Sequence, residues 1–75
     1  MKWMNYISVD ANICHGRACI KGTRIMVSTI LDNLAAGLGV DEIRNQYPSL
    51  SADAVNAAID YAAEFSHERV LAISA

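Results

Sequence analysis

The spacing of apolar positions changes once along the chain, near residue 26, dividing it into an extended part and a helical part. Tyr6-Ile7-Ser8-Val9 alternates and is β-branched, the pattern of a short strand with one buried face. Asp10-Ala11-Asn12 supplies turn chemistry after it. A second extended segment is predicted over about Ala18 to Ile25, with Cys19, Lys21 and Thr23 on one side and Ile20 and Gly22 on the other. Beyond it, Val27, Ile30, Leu31, Leu34, Ala35 and Leu38 recur at intervals of three and four and define one helical face. Ser28 is the expected N-cap of this helix, with Asp32 near the positive end of its dipole. Gly37 stands where a C-cap needs a residue tolerant of positive φ. Asp41 and Glu42 open a second, short helix with Val40, Ile43 and Tyr47 inward, and Pro48 stops it. Ser51 caps a third helix over about Ala52 to Ser66, with Val55, Ala58, Ile59 and Ala62 along its stripe and Ala54, Ala57, Tyr61 and Phe65 widening it.

The pattern predicts a mainly α protein in which a short N-terminal β-element precedes three helices. One domain over 1–75 is expected, made of a β-element with a basic hairpin (1–26), a tri-helical segment (27–66) and a C-terminal tail (67–75) that carries no clear signal. Small residues at the end of the first helix, the tight Gly37-Leu38-Gly39 turn, a short middle helix and a capped third one suit a helix-turn-helix. The same spacing serves an ordinary three-helix bundle that touches no nucleic acid.

Composition adds two expectations. The 75 residues are 53 % apolar and 19 % charged, rich for a small monomer that must cover itself with polar surface, so an apolar patch used in homodimerisation or partner docking is expected. Interruption of the apolar stretches by Asp, Asn and Gly excludes a bilayer span, and the start of the chain lacks the apolar core of a secretory signal, so the cytoplasm is the expected location. The net charge of −2 hides a polarity. Residues 1–31 carry Lys2, Arg17, Lys21 and Arg24 against Asp10, a balance of +3, whereas 32–75 carry Arg44 and Arg69 against seven carboxylates, a balance of −5. A polyanion would therefore meet the N-terminal third.

Gly16-Arg17, Ile20-Lys21-Gly22-Thr23-Arg24-Ile25, Val27-Ser28-Thr29-Ile30-Leu31, Leu34-Ala35-Ala36-Gly37, Glu42-Ile43, Tyr47-Pro48 and Ala57-Ala58-Ile59-Asp60-Tyr61-Ala62 resemble the domain-of-unknown-function family 433, small prokaryotic proteins described as antitoxin-like, of the VapB type. The resemblance runs from roughly Tyr6 to Phe65. It implies a homeodomain-like helix-turn-helix preceded by a β-element, often encoded beside a PIN-like nuclease. Ala18 and Met26 stand where the family usually has Pro, which leaves the edges of the β-element less rigid.

The third helix, which would enter a major groove, carries Asp53, Asp60 and Glu64 and no Lys or Arg before Arg69, so it attracts phosphate poorly. Only Ser51 and Asn56 on it resemble base readers. DNA contact is therefore expected from the β-element, through Arg17, Lys21, Thr23 and Arg24, aided by Ser28 and Arg44. The competing reading is a solvated hairpin whose cations pair with Asp10 or Asp32.

Cys14 and Cys19, with His15 and the distant His67, have no second ligand pair to complete a tetrahedral zinc site, so no metal or other cofactor is expected. A disulfide around the Gly16 turn is geometrically allowed, but a cytoplasmic setting would keep both thiols reduced, and two small, partly buried apolar side chains is the preferred account. Adjacent side chains of Cys14 and His15 point opposite ways on a strand, and the Asp60 and Glu64 pair suits a solvated helix face, so no catalytic constellation is read and no enzyme is expected.

Overall fold

A computed structural model describes residues 3–67, and the tail beyond 67, with Lys2, Glu68 and Arg69, lies outside the described residues. After a single 3-10 turn at Trp3–Asn5, strand β1 (Ile7–Val9) pairs antiparallel with β2 (Ala18–Ile20) in the register Ile7 to Ile20, Ser8 to Cys19 and Val9 to Ala18. Three helices follow: α1 (Val27–Ala35), α2 (Val40–Gln46) and α3 (Ala52–Ser66). The protein is thus mainly α, with a two-stranded β-element at its N-terminal end and a tri-helical body.

The predicted strand from Ala18 to Ile25 is cut short. It ends at Ile20, because Gly22 takes a left-handed conformation (φ 79°) and the chain folds back on itself. Thr23 N–H donates to Ile20 O (3.0 Å), and Ile20 N–H donates to Ile25 O (3.0 Å) across the reversal. Met26 then lies opposite Cys19 in an isolated antiparallel bridge. Alternation therefore stops at Ile20, and Thr23 is a turn residue.

The same turn resets the start of α1. Met26, extended at ψ 145°, holds the cap position without a side-chain hydrogen bond, and Ser28 is the second helical residue instead of the cap. Asp32 sits past the first turn, too far along to complement the positive end of the dipole. At the other end, Gly37 (φ 95°) donates to Leu34 O (3.0 Å) and Leu38 N–H donates to Asn33 O (3.1 Å), the paired bonds of a Schellman ending. Helix α2 starts at Gly39, whose N–H donates to the Glu42 carboxylate (2.9 Å), with Asp41 and Glu42 in the positive first turn. Ser51 Oγ accepts from Ala54 N–H (3.0 Å), so the predicted cap of α3 is made.

All elements bury residues in one core: Ile7 and Ile20 from the sheet, Val27 and Ile30 from α1, Ile43 from α2, Leu50 from the connection, and Ala54, Val55, Ala57 and Ala58 from α3. Ala57 and Ala58 are fully buried, so neighbouring elements come close to the α3 backbone there. The predicted α3 stripe is turned slightly: Ile59 is 43 % and Phe65 46 % exposed, and the four core positions of α3 all precede Ile59. None of the described helices is long and apolar enough to cross a membrane.

Two substitutions separate cap from core. Ser51→Ala should lower the unfolding free energy by about 1 kcal/mol through the lost N-cap bond, and Ile30→Ala by about 2–5 kcal/mol through lost burial and a cavity. Urea titration followed by helical circular dichroism checks both, and equal losses would contradict the assignment of Ile30 to the centre of the core.

Candidate nucleic-acid interface

The β-element exposes Arg17, Lys21 and Arg24, but on different sides of itself. Arg17 closes the β1–β2 connection and lines an open groove of about 380 Å³ between the sheet and the helices. Val9, Ala18, Val27, Leu31 and Tyr61 form its apolar wall, and Ser28 adds a hydroxyl from the first turn of α1. That turn has neither a side-chain cap nor an acidic residue, so its N–H groups keep their partial positive charge beside Arg17. Among the described residues, no carboxylate lines the groove. Arg24 instead lines a separate cavity of about 310 Å³ with Ala11, Asn12, Cys14, His15 and Met26. Lys21 follows β2 directly, its N–H bonded to Tyr6 O (2.8 Å) and its side chain in solvent.

Other predicted contacts are engaged in holding the fold. Thr23 Oγ1 donates to Ile20 O (2.8 Å) and accepts from Ile25 N–H (3.0 Å), closing the turn that carries Arg24. Arg44 Nε donates to Leu50 O (3.1 Å) and so ties α2 to the segment before α3. Ser51 is occupied as the N-cap. Asn56 is exposed on α3, away from both clusters of lining residues. The structure thus brings Arg17 together with Ser28, and Thr23 together with Arg24, while Arg44, Ser51 and Asn56 belong to other parts of the surface.

The carboxylates that make α3 acidic are drawn toward the N-terminal turn. Trp3 N–H donates to Asp60 (3.2 Å), the Trp3 indole N–H donates to Glu64, and the Tyr6 hydroxyl donates to Asp53 (3.5 Å). Trp3 also packs edge-on against Tyr61 at 4.9 Å and near Phe65 at 6.3 Å. This Trp3 latch has no signal in the spacing of the sequence, since its partners lie 57 and 61 residues away. Its contacts fall on the second half of α3, at Asp60, Tyr61, Glu64 and Phe65.

The loop between the strands adds His15, which the sequence reading set aside. Asp10 Oδ1 accepts from Asn12 N–H (2.8 Å), and the chain then runs left-handed through Cys14 (φ 51°), His15 (φ 56°) and Gly16 (φ 79°). This reversal puts Cys14 and His15 beside Arg24 in one cavity. Partial burial and the neighbouring Cys19 push the Cys14 thiol above its usual range, with Arg24 pulling the other way. Among the described residues, no three His, Cys, Asp or Glu side chains come together as a metal site.

The architecture defines a small, mainly α protein whose β-element offers cationic side chains at both ends. The chain belongs to the domain-of-unknown-function family 433, proteins of unknown function, which it matches over residues 7–62. Comparison with curated proteins and with solved structures gives no match.

The Thr23 hydroxyl is the structural half of this surface. Thr23→Val should lower stability by about 1–3 kcal/mol, because the Ile25 N–H loses its partner, whereas Thr23→Ser should stay near wild type. Thermal unfolding of the two variants measures the difference.

Proposed function

We propose that this chain is a non-enzymatic, antitoxin-like protein of the cytoplasm that forms a homodimer, holds DNA through its β-element and docks a PIN-like nuclease on its apolar surface. The observation that carries the DNA half is the groove in which Arg17, Ser28 and the uncapped first turn of α1 meet, with no carboxylate among the described residues that line it. A phosphate oxygen there would receive a guanidinium, a hydroxyl and helix N–H donors together, a set that positions a nucleic-acid backbone without reading bases. Lys21 and Arg24 extend the positive surface beyond the groove. Three cations per chain give weak, salt-sensitive attachment, and a dimer doubles them. The docking half is supported by exposed Met4, Val9, Ile59 and Phe65, large apolar side chains on a domain this small.

A second reading, a protein-interaction module with no nucleic-acid role, draws on the same exposed apolar residues and on the absence of any cation within α3.

The two part in an electrophoretic shift titration against the DNA upstream of the gene. Replacing Arg17, Lys21 and Arg24 together with Ala should flatten the dependence of log affinity on log salt by up to about 2.7 per chain, at about 0.9 for each lost phosphate contact. Asn56→Ala should leave it unchanged. An unaltered slope in the triple variant, with dimerisation intact, would remove the DNA role and leave the docking reading.

A further inference from the structure

The two strands of the small sheet differ in what their outer edges meet. Lys21 N–H donates to Tyr6 O at 2.8 Å, so the bonded pairs between the strands fall at Tyr6 with Lys21 and at Ser8 with Cys19. Ile20, between them, turns its N–H away from β1 and gives it to Ile25 O at 3.0 Å, and Met26 lies opposite Cys19 on that outer side. Strand β2 is therefore paired along both edges. By the same alternation Ile7 and Val9 turn their N–H and C=O groups outward from β1, and no described residue bonds them there. Val9, 62 % exposed, is the most exposed of the large apolar side chains among the described residues. Open edges are usually blunted by Pro or a charged residue, and Ile7-Ser8-Val9 has neither.

We propose that the outer edge of β1 pairs antiparallel with the same edge of a second copy of this chain, joining two two-stranded sheets into one of four strands. This pairing builds on the homodimer proposed above and gives it a surface. The strand is its own complement. With Ser8 opposite Ser8 on the two-fold axis, Ile7 of each copy faces Val9 of the other, and their outward N–H and C=O groups exchange bonds. Side chains of facing residues stand on one face of a sheet. Exposed Val9 thus comes to lie beside Ile7 of the other copy, which is only 3 % exposed at the edge of its own core. The row across the joined sheet then reads Ile20, Ile7, Val9, Ala18, apolar throughout. One place along, Asp10 meets Tyr6 of the other copy, whose own strand partner Lys21 carries the opposite charge, so no like charges oppose each other. A two-stranded sheet with strands of three residues is marginal by itself, and added strands strengthen it. So short a contact makes the dimer dependent on concentration.

Amide hydrogen exchange of the full chain, followed residue by residue by NMR across the concentrations at which sedimentation equilibrium finds monomer and dimer, tests the edge directly. The Ile7 and Val9 N–H groups should exchange at least about tenfold more slowly once the dimer dominates, because only there are they bonded. Ser8, already bonded to Cys19 within one copy, should change much less. Val9→Pro removes an outward donor and leaves the bonds between β1 and β2 in place. It should weaken the dimer by about tenfold or more, with the circular dichroism of the wild type, whereas Val9→Ile should dimerise as the wild type does. A dimer whose Ile7 and Val9 amides exchange as fast as in the monomer, or one unaffected by Val9→Pro in a folded chain, would overturn the edge pairing and leave the homodimer to another face. A chain that stays monomeric throughout would remove both.

Discussion

The Thr23 hydroxyl, held between Ile20 O at 2.8 Å and Ile25 N–H at 3.0 Å, fixes a turn on which most of the described surface depends. A main-chain reversal this tight leaves one carbonyl and one N–H facing each other without a strand partner. A β-branched residue with a short donor-acceptor group serves both, while Gly22 supplies the positive φ that brings them together. Three consequences follow from the one turn. It ends β2 at Ile20, it returns Met26 opposite Cys19, and it aims the chain into α1 with no polar residue at the cap. The uncapped helix start beside Arg17 and the cavity beside Arg24 are therefore two outcomes of the same local geometry.

A second constraint acts on α3. In a 75-residue domain, a single core supplies limited stability, and the N-terminal turn adds to it by packing Trp3 over Tyr61 and Phe65. The indole and backbone N–H groups then need acceptors, and Glu64 and Asp60 provide them. The acidic character of α3, which from sequence alone argues only against phosphate, thus has a structural role in holding the chain's start. Electrostatics and packing here act together, engaging Asp60 and Glu64 of α3 with the N-terminal turn.

What the residues disclosed in advance, and what they hid, divides by the range of the interaction. Ser51, Gly37 and Pro48 act within a few positions of themselves, and the helix ends they mark lie where their chemistry requires. The mainly α architecture with an N-terminal β-element was legible for the same reason. Ser28 misled because the residue that begins α1 is chosen by the preceding turn, a matter of backbone direction, and not by the best side-chain cap nearby. Alternation through Lys21 and Thr23 misled because a two-residue period cannot show that Gly22 reverses the chain. Arg44 was expected to aid DNA contact, with no sign in the sequence that its Nε also meets Leu50 O six residues on, a contact set by how the connection between α2 and α3 folds. The Trp3 latch was beyond any local rule.

The division of the cations bears on how this surface can work. Arg17 and Arg24 lie only seven positions apart in one basic run of the sequence. Folding back at Gly22 assigns them to separate cavities, one walled by apolar side chains and the other by sulfur and imidazole. The first guanidinium shares its groove with the Ser28 hydroxyl at the start of α1. The second guanidinium lines its cavity with the Cys14 thiol, the His15 imidazole and the Met26 thioether, a different set of neighbours. One basic run in the sequence therefore becomes two chemically distinct surfaces, and the turn closed by Thr23 is what separates them.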